Sequence, residues 1–133
     1  EVTPDGRYVL AAVGTERLRV TSWLPDDPYP LADVDVWPDE GELGDVPAER
    51  IEGLHHRVRE LNEIVLSLGE LVPPPDAEIS DDPWLAVYHL ASLSPLGPAD
   101  RQRILAARGL VERVQQLEEA LDDAAAVLNF RRS

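Results

Sequence analysis

The longest regular pattern in the chain is an apolar stripe across residues 51–72. Ile51, Leu54, Val58, Leu61, Val65, Leu68 and Val72 recur at steps of three and four, the spacing that holds side chains on one side of an α-helix. Glu49, Glu52, His56, Arg59, Glu60 and Glu63 fall on the other side, toward solvent. Ile64 and Leu66 widen the apolar side, so this helix meets more than one neighbour. Pro47 stands near its start, and Pro73, Pro74 and Pro75 end it, because proline cannot continue the hydrogen-bond ladder. A second stripe, Leu110, Val114, Leu117, Leu121, Ala124 and Leu128, predicts a helix over 110–130. Between them, Asp82 as N-cap and Pro83 at the first helical position open a helix carrying Trp84, Val87, Tyr88, Leu90 and Ala91, which stops near Pro95. Gly97 and Pro98 begin a shorter helix with Ile104 and Leu105, closed by Gly109. Two long stripes separated by two short helices predict an α-helical bundle.

Residues 7–37 change period. Residues 7–13 are rich in Val, Leu and Tyr, and Gly14-Thr15 reads as a two-residue turn with glycine supplying the positive φ. Residues 16–23 then alternate, Leu18, Val20 and Ser22 on one face and Arg17, Arg19 and Thr21 on the other. After the proline- and aspartate-bearing loop 24–29, residues 31–37 alternate again, with Ala32, Val34 and Val36 set against Asp33 and Asp35. The arginines and aspartates fall on matching faces, so cross-strand Arg–Asp pairs on a solvated sheet face are expected, each worth about 0.2–1 kcal/mol. Residues 38–46 form a polar, glycine-bearing connector and the lobe boundary. The expected fold class is α+β: an antiparallel β lobe, a partial pseudo-barrel, in residues 1–40, followed by an α-helical bundle in residues 46–133.

Charge narrows the partners. Twelve basic residues, all arginine, face 26 acidic ones, for a formal net charge of −14. Such a field repels phosphate and argues against nucleic acid and anionic membrane. With 44% apolar residues the chain is too hydrophobic to be disordered. No run of about 18 apolar residues and no signal-peptide pattern occurs, which places the protein in the cytoplasm by default.

The groups that would carry chemistry are sparse. Without cysteine there is no disulfide framework, thiol nucleophile or Cys-type zinc site. Without lysine there is neither a phosphate-binding Walker loop nor a Ser–Lys dyad. His55 and His56 point about 100° apart on a helix, whereas two ligands on one face need i, i+4 spacing. His89 stands alone, so all three histidines read as surface or structural groups. Asp26-Asp27, Asp81-Asp82 and Asp122-Asp123 lack the alternating spacing of a calcium loop; the second is explained by capping and the third by the solvent side of a helix. No catalytic residue, cofactor or metal site is expected.

The helical blocks occur in a familiar order. Asp81-Asp82-Pro83 through Ser94-Pro95-Leu96, then Ala99-Asp100-Arg101-Gln102-Arg103-Ile104-Leu105, then Val111-Glu112-Arg113-Val114-Gln115-Gln116-Leu117, resemble the helical part of Lon protease N-terminal domains. Upstream, Gly6-Arg7-Tyr8, the segment Gly14 to Val20 and the segment Pro28 to Val34 resemble later strands of the same domain's β lobe. That family begins with further strands, so Glu1 reads as an entry midway through the lobe. It also continues into ATPase and protease modules, whereas this chain stops at Ser133, like small stand-alone proteins that carry the domain only. The resemblance implies recognition of protein substrates by the β lobe, with the helices as support, and no chemistry in this segment.

Two function classes follow. One is a non-catalytic protein- or peptide-binding module for unfolded or extended polypeptide segments, working with an ATP-dependent protease system, with Trp23, Tyr29 and Trp37 as the contact residues beside the loops. Burial between the lobes is the plainer reading of those aromatics. The other is a self-associating helical scaffold or adaptor that uses the stripes 51–72 and 110–128 as an intermolecular seam. Three strands without upstream neighbours would also leave open sheet edges, which invite pairing with another chain.

Overall fold

A computed structural model describes residues 2–10, 12, 14–42 and 46–132. The fold is α+β: two antiparallel strands, β1 (Leu18–Leu24) and β2 (Leu31–Val36), precede four helices, α1 (Ala48–Ser67), α2 (Pro83–Leu93), α3 (Pro98–Ala106) and α4 (Leu110–Arg132). The chain divides into two compact units, Glu1–Pro38 and Asp39–Ser133. Among the described residues no helix is long and apolar enough to cross a membrane.

The helical unit is built as its periodicity requires. Leu54, Val58, Leu61 and Val65 of α1 are buried, as are Leu110, Val114, Leu117, Leu121 and Leu128 of α4. Val87, Leu90 and Ala91 of α2 and Ile104 of α3 complete the core, with Ile51, Ile64, Leu68 and Val72 packed at its margin. Helix α1 packs on both α2 and α4, as its wide apolar side requires, although Leu66 itself is exposed. Ion pairs Arg50–Glu118, Arg57–Asp122 and Glu70–Arg131 join α1 and the turn after it to α4 in ascending order along both. The two long helices therefore run in the same direction. The Arg50 pair is bidentate, at 2.8 and 2.7 Å, and this bond to Glu118 holds the guanidinium pKa above its ordinary value. Both stripes thus pack into one core within a single chain.

Helix ends follow local chemistry. Asp82 caps α2, its Oδ1 accepting from the Trp84 amide at 3.0 Å, with proline in the first turn. Helix α1 stops earlier than the proline triplet demands. Gly69 takes φ +82°, its N–H donates to the Leu66 carbonyl at 2.9 Å, and the Glu70 N–H donates to the Val65 carbonyl at 3.3 Å. This is the Schellman arrangement, in which a left-handed glycine turns the chain back on the last helical carbonyls. The glycine, not Pro73, ends the helix. Gly109 has a different duty from the left-handed closure expected of it. A Cβ there would overlap the Glu40 carbonyl oxygen and lie 2.9 Å from its carbon. The Glu40 N–H donates to the Arg108 carbonyl at 2.9 Å, so residues 39–40 cross the α3–α4 corner at backbone contact and only glycine leaves room. Leu43, Gly44 and Asp45 of the expected connector lie outside the described residues.

That strap is held by Arg113, whose side chain is completely buried. Its guanidinium forms an ion pair with Asp39, stands 4.3 Å from the centre of the Tyr88 ring and approaches the Ala107 carbonyl. A buried cation costs several kcal/mol unless it is paired, and here the pairing groups come from three separate segments.

In the β unit the expected strand over 7–13 does not form among the described residues, and Ala11 and Val13 lie outside them. The chain instead turns tightly at its start. The Thr3 N–H donates to the Arg7 carbonyl at 2.8 Å, the Gly6 N–H to the Thr3 carbonyl at 2.9 Å, and Tyr8 makes a single bridge to Val2. Gly6, at φ +80°, supplies the positive dihedral that was expected at Gly14. Local hydrogen bonds shape this segment, and Tyr8, Val9 and Leu10 lie exposed.

Breaking the strap tests this packing. Asp39→Ala leaves Arg113 buried without its carboxylate and should destabilise the helical unit by about 3–5 kcal/mol, read as a lower urea midpoint by helical circular dichroism. Gly109→Ala should cost about 1–3 kcal/mol through overpacking. An unchanged midpoint in both variants would show the strap to be incidental.

Candidate functional site

The β hairpin carries the aromatics that the sequence singles out. In its ladder Leu18 pairs with Val36, Arg19 with Asp35 and Val20 with Val34; then the register shifts, and Ser22 pairs with Asp33, Trp23 with Ala32 and Leu24 with Leu31. Thr21 is the extra residue of a β-bulge on β1. Opposite residues share a face, so Leu18, Val20, Trp23, Ala32, Val34 and Val36 lie together on one side. Strict alternation had put Ser22 with Leu18 and Val20. The bulge moves it to the charged face, where its hydroxyl donates to Asp33 Oδ2 at 2.9 Å. The bulge leaves no mark in the hydrophobic pattern, because Thr21 and Ser22 suit either face.

The three aromatics have different surroundings. Trp23 is 72% exposed and Tyr29, in the loop before β2, is 63% exposed. Trp37 is half-buried, and its cover comes from its own unit: the guanidiniums of Arg17 and Arg19 lie 4.8 and 5.1 Å from its ring centre. Arg17 also donates to the Pro38 carbonyl at 3.3 Å. Arg19 sits opposite Asp35 as the charge pattern requires, but both arginines are drawn over the indole. Each such contact is worth about 0.5–1 kcal/mol at an exposed site. Two guanidiniums thus cover part of the Trp37 ring, while Trp23 stands exposed. Leu18, Val20, Val34 and Val36 beside it are exposed as well.

No catalytic constellation competes with this surface among the described residues. His56 faces Glu60 at 3.2 Å on the exposed side of α1, and His89 Nδ1 accepts from the Ser80 amide at 3.2 Å. His55 lines an open groove of about 550 Å³ between α1 and residues 75–81, shared with Ile51, Glu52, Arg59, Asp76 and Ile79. Its walls mix apolar and charged groups without an ordered acid–base pair. Among the described residues no three His, Asp or Glu side chains gather as metal ligands.

Residues 1–123 match the model of the ATP-dependent protease La (LON) substrate-binding domain. The chain belongs to this family. It is also similar to Lon protease 1 of Herpetosiphon aurantiacus, 27% identical over 136 residues. That alignment covers 96% of this chain and 16% of the relative's length, so the chain spans a small part of that relative.

Fluorescence checks the assignment of the tryptophans. Trp23→Phe should remove most of the emission that acrylamide quenches readily, and Trp37→Phe should leave that fraction in place. The reverse pattern would place the free indole at the wrong position.

Proposed function

We propose that this Lon-family domain is a non-catalytic recognition module that binds exposed, largely apolar segments of other polypeptides through its β unit. The observation that carries the reading is the hairpin's uncovered apolar face, in a family whose role is substrate binding. The helical unit closes its own core and serves as support. The chain contains no lysine and no cysteine, so Walker-type phosphate binding, Ser–Lys proteolysis and thiol chemistry have no residues to run on. Its clients are unfolded or extended chains, delivered in the cytoplasm to an ATP-dependent protease system rather than cleaved here. Affinity is modest, on the order of micromolar, because an unfolded segment loses entropy when it is ordered on binding. The net charge of −14 favours clients that carry basic residues, and salt weakens that preference.

Titrating the protein with a labelled unfolded client and with a folded control, at low and high salt, tests the proposal. Binding should be confined to the unfolded client and should weaken as salt rises. Equal binding to both, or binding to neither, contradicts it, and peptide cleavage that copurifies with the protein would overturn its non-enzymatic half.

A further inference from the structure

The bulge at Thr21 gives the hairpin two chemically distinct faces. One face presents Leu18, Val20, Trp23, Val34 and Val36, all exposed and none charged. The other holds Arg19, Asp33 and Asp35, with the arginine clamp on Trp37. Had β1 run without a bulge, Trp23 would share the charged face and the apolar face would lose its largest side chain.

The two edges differ as well. The bulge interrupts β1, and a bulged strand twists away from the regular spacing that strand addition needs. Strand β2 advances one residue per pair from Leu31 to Val36 without interruption. Among the described residues the sheet has two strands, so the outer edge of β2 has no strand beside it. The loop that joins the strands places Asp26, Asp27 and the exposed Tyr29 at the end where Trp23 lies, one pair from the turn. Aromatic faces beside carboxylates match a guanidinium or ammonium group.

We infer that the hairpin takes an extended polypeptide segment as a third strand on the outer edge of β2. The segment's every second side chain is apolar and lies on the face that carries Val34, Val36 and, at its loop end, Trp23, and a basic residue at the segment's end meets Asp26, Asp27 and the rings of Trp23 and Tyr29. This inference rests on the recognition reading above and narrows it from apolar segments in general to alternating ones with a basic flank. An extended chain presents alternate side chains to one face, and main-chain hydrogen bonds along β2 supply binding that does not depend on sequence.

The test uses the full chain and three synthetic peptides. One alternates Val and Thr between Arg flanks, the second has the same residues in block order, and the third alternates between Glu flanks. The first should bind about tenfold tighter than either of the others. Exchanging two neighbours, Ser22→Trp with Trp23→Ser, keeps the composition but moves the indole to the charged face, and should weaken the first peptide as much as Trp23→Ala does. Equal affinity for all three peptides, or an exchange variant that binds like the parent, overturns the inference; if the unfolded client still binds, the broader reading survives. Loss of both kinds of binding removes both. Sedimentation at the same concentrations should show a monomer. A dimer that the peptide does not dissociate would assign the face to a second copy and overturn the inference.

Discussion

The helical unit depends on one seam, the packing of α1 against α4. Leu54, Val58, Leu61 and Val65 belong to the same core as Val114, Leu117, Leu121 and Leu128, and the cross-helix ion pairs run alongside. Burial supplies most of the energy, since each fully buried Leu or Val contributes about 1.5–3 kcal/mol. The ion pairs contribute less, because exposed pairs are worth about 0–1 kcal/mol; their use is to fix direction and register. Helices α2 and α3 cover the flank that two parallel helices leave open, and the Asp39–Glu40 strap closes the α3–α4 corner through Arg113 and Gly109.

A core completed in this way leaves the bundle little with which to bind. The seam that could have joined two chains is occupied within one, and the histidines and paired aspartates serve as caps, surface pairs and groove lining. The hairpin is the opposite case. Two strands cannot cover both of their own faces, and a lone hairpin is marginally stable in water. Its charged face is tied up by the clamp on Trp37, while its apolar face is left to solvent. The division of labour proposed for the two units follows from that difference.

Much of this was legible in the residues, and the exceptions share a cause. The helices, the Asp82 cap and the Pro98 start were readable because period and capping are local. The C-terminal end of α1 and the duty of Gly109 were not, since the first depends on which of two stop signals comes earlier and the second on a contact with Glu40, 69 positions away in the sequence. Residues 7–13 have strand composition, yet among the described residues they form only the single bridge from Tyr8 to Val2, and composition cannot report that. At the site, the sequence picked out Trp23, Tyr29 and Trp37 without separating them. The separation came from a one-residue bulge and from two arginines that prefer an indole face to full solvation. The family resemblance, by contrast, could be read from the order of the helical blocks alone.

Amide hydrogen exchange, with and without an unfolded client, tests the central division most directly. In the free protein α1, α2 and α4 should exchange slowest and the hairpin fastest, because local opening is easiest where few apolar contacts are buried. Client binding should slow exchange in residues 31–36 and leave the α1–α4 seam unchanged. Protection gained in α1 and α4 with the hairpin unaltered would contradict the account.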